Sequence, residues 1–137
     1  MYVAMGINDI VATSESITVY NDGETTVHRP QEPAYNKIVD GWKALLENAR
    51  EMPAFGVSLN NETIEVMKSG LWVELAFDCQ YSHNNMQFEK LLLKVERGWQ
   101  GFNIIRYNAE NGYSGRCYFF DLVGKNMSQF YEILINL

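Results

Sequence analysis

The most regular spacing of apolar residues in the chain lies between Pro33 and Ala49. Apolar positions recur there every three or four residues, the period of a helix with one buried face. They are Tyr35, Ile38, Val39, Trp42, Leu45, Leu46 and Ala49. Pro33 suits the first turn of a helix because the N–H that proline lacks would have no partner there. The pattern predicts a long amphipathic helix that starts at Pro33.

Two shorter helices are predicted from weaker signals. In the first, Asn60 or Asn61 provides the N-terminal cap and Gly70 closes the helix. The second ends the chain, with Asn126 as its cap. Its helically spaced apolar residues are Met127, Phe130, Tyr131, Leu134 and Leu137. We expect this last helix to dock on a sheet.

Alternating apolar and polar residues predict the strands. The β-branched runs 17–20 and 25–28 flank Asp22-Gly23, a pair that favours a tight hairpin turn. This hairpin either extends the sheet or stands across its open face. Two further strands, 71–78 and 90–96, both carry their apolar set at odd positions. For these sets to share a face, the loop needs an odd number of residues or a bulge, which disfavours a two-residue Asn84-Asn85 turn.

The stretch from Trp99 to Leu122 reads as a hairpin with large apolar residues and an arginine on each face. A two-residue Asn111-Gly112 turn pairs Tyr107 with Arg116, Ile105 with Tyr118 and Ile104 with Phe119. A two-residue turn at Gly98-Trp99 would continue the Leu91, Leu93 and Val95 face with Phe102 and Ile104. This register points Phe119 to the core and Tyr118 away from it.

These elements predict one α+β domain over 1–137. Its core would be an antiparallel β-sheet, a meander of about four strands plus the N-terminal hairpin, with two or three helices packed on one face. The connector from Met52 to Leu59 is apolar enough that we expect it to lie against the core.

The other face of that sheet is the most informative surface. It would display Trp72, Leu92, Ile105, Tyr107, Arg116, Tyr118 and Phe120. An aromatic patch with one arginine is typical of an interface centre or a ligand platform. The alternative is that the N-terminal hairpin or Met1–Ile10 packs over the patch and makes a second small core. The pattern leaves both interpretations open.

Charge narrows the list of partners. The 137 residues carry a net charge of −6 without a cluster of Lys or Arg, which argues against nucleic acid and anionic membrane surfaces. No segment approaches the ~20 apolar residues of a membrane span, and the N-terminus lacks the pattern of a secretory signal. We therefore expect a cytoplasmic protein; a secreted chain already trimmed of its signal would have the same sequence.

Motifs for chemistry are weak. Asp78, Cys79 and His83 supply at most half of a zinc site, so we expect neither a metal nor a cofactor. Cys79 and Cys117 are expected to be reduced thiols, and the glycines show no phosphate-binding spacing. Nucleophilic catalysis would use Cys117 or Ser114 with His28 or His83. The segment 112–115 does not match a nucleophile elbow, because its second glycine falls one residue early and a hairpin is predicted there.

Three functional hypotheses follow. The first is a non-catalytic binding or protein-interaction domain, acting on a protein partner or by self-association. Its binding face would contain Trp72, Tyr107, Arg116 and Tyr118. The second is a pocket for a small anionic ligand, with Arg106 or Arg116 facing a carboxylate or phosphate. The third, an enzyme with His28 or His83 as base, has the least support in the sequence.

Overall fold

The computed structural model describes residues 3–4, 6–54 and 56–137, with the backbone alone given for 3–4. The described strands are β1 (Val3–Ala4), β2 (Ser16–Asn21), β3 (Glu24–His28), β4 (Arg50–Met52), β5 (Val57–Ser58), β6 (Leu71–His83), β7 (Met86–Val95), β8 (Gly101–Tyr107), β9 (Gly115–Arg116) and β10 (Tyr118–Asp121). The described helices are α1 (Ile7–Ile10), α2 (Pro33–Leu46), α3 (Asn60–Val66) and α4 (Ser128–Ile135), with a 3-10 turn at Val11–Thr13.

An antiparallel sheet organises the molecule. Its strands follow the order β3-β2-β6-β7-β8-β10-β4, and β1 also pairs with β6 in parallel. The predicted α+β class with an antiparallel sheet is confirmed. The predicted strand number was too low because β4 and β1 are too short to show a periodic pattern. The N-terminal hairpin extends the sheet through the pairing of β2 with β6.

The main core lies between one face of the sheet and helices α2 and α4. Helix α2 begins at Pro33 as predicted, and its Trp42 ring packs edge-on against Phe130 of α4 with 6.4 Å between centroids. Gly41 allows this approach, since a Cβ at that position would lie 2.9 Å from Ile133 Cδ1. The N-cap of α4 is Met127 rather than the predicted Asn126, which lies one residue earlier and accepts the Ser128 N–H on its Oδ1 at 3.0 Å.

Helix α3 differs from the prediction in two ways. Met67, at its C-terminal end, packs on the opposite face of the sheet, so the helices do not all lie on one face. Neither asparagine caps the helix. Instead the Asn60 N–H donates to Ser114 Oγ at 2.9 Å, and Asn60 Oδ1 accepts the Tyr113 N–H at 3.0 Å. A distant loop therefore holds the N-terminus of α3.

Two hairpins can be compared with the turns predicted from the sequence. Asp22-Gly23 forms the predicted two-residue turn, with positive φ angles of 50° and 90°. Asn84-Asn85 also forms a two-residue turn, since His83 pairs with Met86, so the prediction against that turn was wrong. The bulge given as the alternative is present between Ala76 and Tyr81, where it brings both apolar sets onto one face.

The register of the last hairpin is shifted by one residue from the prediction. Tyr118 pairs with Ile104 and Phe120 with Phe102, while the loop closes through an Asn108–Gly112 bridge. A one-residue shift exchanges the two faces of a strand. Tyr118 and Phe120 therefore enter the main core, and the predicted inward position of Phe119 was wrong. The predicted register of β7 with β8 is confirmed, for example by the Leu92–Ile105 pair.

Candidate functional site

Most of the predicted aromatic face is covered. Trp72, Leu92, Met67 and Tyr113 are buried together, and Trp72 is only 4% exposed. Partly buried side chains packed against them are Tyr20, Ile105 and Tyr107. This is the second small core that the sequence left open as an alternative. The cover is the end of α3 and the loop carrying Tyr113. The N-terminal hairpin extends the sheet instead, and Met1–Ile10 lies partly outside the described residues.

A buried carboxylate lies in this second core. Glu74 is 4% exposed, and its two carboxylate oxygens accept hydrogen bonds from the hydroxyls of Tyr20, at 2.9 Å, and of Tyr113. Burial raises the pKa of both tyrosines, and the negative charge of Glu74 raises it further. A Lys90 ammonium stands 4.8 Å from the centroid of the Tyr107 ring nearby. Hydrogen bonds thus satisfy an acid that would otherwise be costly to bury.

Tyr118 is the clearest correction among the predicted site residues. Its side chain is 1% exposed in the main core, and its ring meets the His83 ring edge-on at 5.1 Å. The hydroxyl donates to the carbonyls of His83 and Met86, at 2.9 and 3.0 Å. Burial raises the pKa of this phenol above its ordinary value. The Tyr118 hydroxyl thus joins the two strands at the β6–β7 turn.

Arg106 binds main-chain carbonyl groups. Its Nε donates to the Arg116 carbonyl and its Nη1 to the Gln87 carbonyl, both at 2.7 Å. Gly115, with a φ of +139°, makes room: a Cβ there would lie 2.9 Å from Arg106 Nη2. The guanidinium therefore joins β7 to β9.

Arg116 remains exposed, and it lies beside exposed apolar residues. It pairs with Val57 across the short β5–β9 sheet, so the two side chains share a face. Leu59 follows two residues after Val57, and the two are 53% and 68% exposed. Ser58 points the other way, donating its hydroxyl to the Tyr113 carbonyl. We call Val57, Leu59 and Arg116 the Arg116 edge.

The expected burial of the connector was wrong at this edge. Val57 and Leu59 are exposed, and Phe55 lies outside the described residues. The signal that would have found them is the apolar–polar–apolar order of residues 57–59, which is the pattern of a short strand with one face to solvent. Strand β5 has only two residues, too few to be recognised as a strand within an apolar connector.

A small cleft adjoins Arg116. Its volume is about 160 Å³. The lining residues are Glu51, Met52, Pro53, Ala54, Asn84, Met86, Arg116 and Tyr118. His83 Nε2 lies 2.6 Å from Glu51 Oε1, and Asn84 donates its amide to the other Glu51 oxygen. The cleft thus holds one carboxylate and one guanidinium, and the carboxylate is already hydrogen-bonded.

The two histidines differ in their surroundings. His28 is on the outermost strand, and its Nε2 is 3.1 Å from Thr26 Oγ1. His83 is oriented by Glu51, an arrangement that general bases use. The predicted nucleophiles are engaged elsewhere: Ser114 accepts a hydrogen bond from α3, and burial raises the pKa of the Cys117 thiol. Within residues 6–54 and 56–137, no hydrogen bond joins a histidine to Ser114 or Cys117.

Metal-binding geometry is likewise missing from the described part of the chain. No group of three or more His, Cys, Asp or Glu residues is placed there to hold a metal ion. His83 of the proposed half-site bonds Glu51, while Asp78 is exposed. Cys79 and Cys117 are both free thiols.

Comparison with known proteins found no matching family model, no matching curated protein and no matching solved structure. No helix among the described residues is long and apolar enough to cross a membrane. The Arg116 edge is the exposed surface of the described residues that combines large apolar side chains with an arginine free of ion pairs.

Proposed function

We propose that this chain is a non-catalytic protein-interaction domain whose contact surface is the Arg116 edge. The observation that carries the proposal is an exposed pair of large apolar side chains beside an exposed arginine. Val57, at 68%, is the most exposed large apolar side chain in the described part of the chain. The fully buried core of an interface is more apolar than the rest of the protein surface, and interfaces are enriched in arginine.

The edge suggests the kind of partner. Arg116 takes part in none of the ion pairs formed by the described residues, so its guanidinium is available for an acidic group. In the same part of the chain, β5 pairs with β9 alone and leaves its other edge open. Such an edge recruits an extended segment by main-chain hydrogen bonds, while side chains supply specificity. The partner is thus a protein segment with an acidic residue next to apolar ones.

A pair of charge-matched double variants tests this proposal. Val57→Lys with Arg116→Glu alters the edge, and Val123→Lys with Lys125→Glu makes the same changes of charge elsewhere. Val123 is 53% exposed and Lys125 is exposed, so the control loses a comparable apolar surface. Quantitative affinity capture from the source cells should recover the same proteins with wild type and control, and lose them with the edge variant. Equal recovery by all three chains would reject the proposal.

The second candidate, a small-anion site, is favoured by the position of Arg116 in the 160 Å³ cleft. Two observations weigh against it. The cleft is smaller than the roughly 300–1,000 Å³ of typical ligand pockets, and Glu51 in its wall repels anions.

Titration with acetate or phosphate, followed by NMR, separates the two candidates. An anion site predicts saturable shifts near Arg116 that Arg116→Gln abolishes and Glu51→Gln strengthens. The interaction proposal predicts no saturable shifts and no effect of Glu51→Gln on the captured proteins.

A further inference from the structure

Strand β3 forms one border of the large sheet, and its first four residues are exposed. Glu24, Thr25, Thr26 and Val27 are all exposed, and Val27 is 48% exposed. Among the described residues, no strand pairs with the outer edge of β3. An open edge of this length presents unpaired N–H and C=O groups and is a template for a further strand.

The hairpin register shows which main-chain groups are open. Asn21 and Glu24 flank the two-residue turn and form a hydrogen-bonded pair in such hairpins. Hydrogen-bonded and non-hydrogen-bonded pairs then alternate along the ladder. The main-chain groups of Glu24, Thr26 and His28 therefore point to β2. Those of Thr25 and Val27 point outward, away from the sheet.

The helix layer does not extend over β3. A groove of about 240 Å³ runs between the inner side of the strand and the end of α4. Its lining residues are Val19, Asn21, Glu24, Thr26, His28, Leu134, Ile135 and Leu137. Ile135 and Leu137 are 41% and 39% exposed at this border. Apolar surface thus accompanies the open main-chain edge.

We propose that β3 is a homodimer interface, in which a second copy of this chain pairs with it antiparallel about a two-fold axis at Thr26. This register uses all five residues of the strand. It places Thr25 of each copy opposite Val27 of the other, which joins their outward-pointing main-chain groups in hydrogen-bonded pairs. The result is one continuous sheet through both copies.

Complementarity between an acid and an imidazole selects a second copy as the occupant, since an imidazole N–H donates to a carboxylate in either protonation state. In the same register, Glu24 of each copy lies opposite His28 of the other, on the inner face beside the groove. Within one copy these residues are four positions apart, roughly 14 Å along a strand, so the pair forms only between copies. The two-fold axis also puts both helix layers on the same side. Ile135 and Leu137 of both copies therefore flank the junction.

Sedimentation velocity over a dilution series, with two single variants, tests the interface. His28→Glu places two glutamates opposite each other, and Glu24→Lys places lysine opposite histidine. Each variant alone should raise the dimer dissociation constant about tenfold, because it replaces both symmetry-related Glu24–His28 pairs with mismatched pairs. An equimolar mixture should form heterodimers near wild-type strength, because it pairs Lys with Glu and Glu with His.

Glu47→Lys, an exposed charge reversal on another surface, is the matched control and should dimerise like wild type. Circular dichroism confirms that each variant keeps its fold. A wild-type chain that stays monomeric throughout the series overturns the proposal. So does a dimer whose dissociation constant is the same for wild type, both single variants and their mixture.

Discussion

At the scale of single residues, the second core depends on polar contacts around Glu74 and Asn60. Glu74 accepts two tyrosine hydroxyls, and Asn60 Oδ1 accepts the main chain of the Tyr113 loop. Glu74 occupies an even position in an alternating strand, which predicts a solvated acid. No local pattern reveals that Tyr20 and Tyr113, 54 and 39 residues away, donate to it. The fold determines contacts between residues so far apart in the chain, and local sequence patterns do not predict them.

Tyr113→Phe should lower the free energy of unfolding by about 1–3 kcal/mol, because one buried carboxylate oxygen loses its donor. Urea denaturation measures the change. Tyr107→Phe is the control, since it removes a hydroxyl from the same cluster without touching the Glu74 contacts, and should cost less. Equal changes in the free energy of unfolding would show that the hydrogen bond from Tyr113 to Glu74 stabilises the fold no more than the Tyr107 hydroxyl does.

Gly112→Ala should also destabilise the chain by about 1–3 kcal/mol. Gly112 has a φ of +62°, and a Cβ there would overlap Asn60 Oδ1, which holds the loop against α3. Gly98→Ala is the matched control because a Cβ at Gly98 meets nothing within 4 Å. Thermal unfolding of both variants should show a lower Tm for Gly112→Ala alone. A similar Tm for the two would contradict this account of the loop.

At the scale of elements, the sequence predicts those whose signal is local. Helix α2 follows from six periodic positions between Tyr35 and Leu46, and the first hairpin follows from Asp22-Gly23. The seventh position of the pattern, Ala49, lies beyond the end of the helix. The register of the last hairpin could not be predicted, because Asn111-Gly112 does not form a two-residue turn. It lies in a longer loop that the Asn108–Gly112 bridge closes. That one-residue difference exchanges Tyr118 with Phe119 between faces. Of the predicted site residues, Trp72 and Tyr107 were assigned to the correct face, whereas Tyr118 was not.

Arg106→Lys should loosen the β9 segment, since lysine cannot bridge two carbonyl groups with the planar fork of arginine. Hydrogen exchange should accelerate at residues 115–117 and change little in β2 and β6. The control is Arg97→Lys, at an exposed arginine paired with Glu132. Unchanged exchange at 115–117 would show that Arg106 is not what holds β9.

At the scale of the whole molecule, the sheet separates two cores, and tyrosine hydroxyls in both are kept protonated. Burial raises the pKa of Tyr20 and Tyr113 in the second core and of Tyr118 in the main core. The length of the chain and its apolar content predict a folded protein, but not how many cores it has. Which segment covers the second face depends on where α3 and the Tyr113 loop come together.

Stability should fall as pH rises above about 10, the ordinary tyrosine pKa. Above that pH the unfolded chain releases phenolic protons that the folded chain retains, so the free energy of unfolding decreases. Below it, these three tyrosines contribute no pH dependence. Urea denaturation between pH 8 and 11 measures the slope, and Tyr113→Phe should reduce it. A stability that is constant up to pH 11 would contradict the assigned environments.

The Arg116 edge is the central claim, and affinity for a captured partner tests it most directly. A partner recovered with wild type should bind the Val57→Lys, Arg116→Glu chain at least about tenfold more weakly, as expected when an interface centre is lost. The Val123→Lys, Lys125→Glu chain should bind within about twofold of wild type, as expected for a surface outside the interface. Equal affinity of all three chains, or equal weakening of both variants, would contradict the claim.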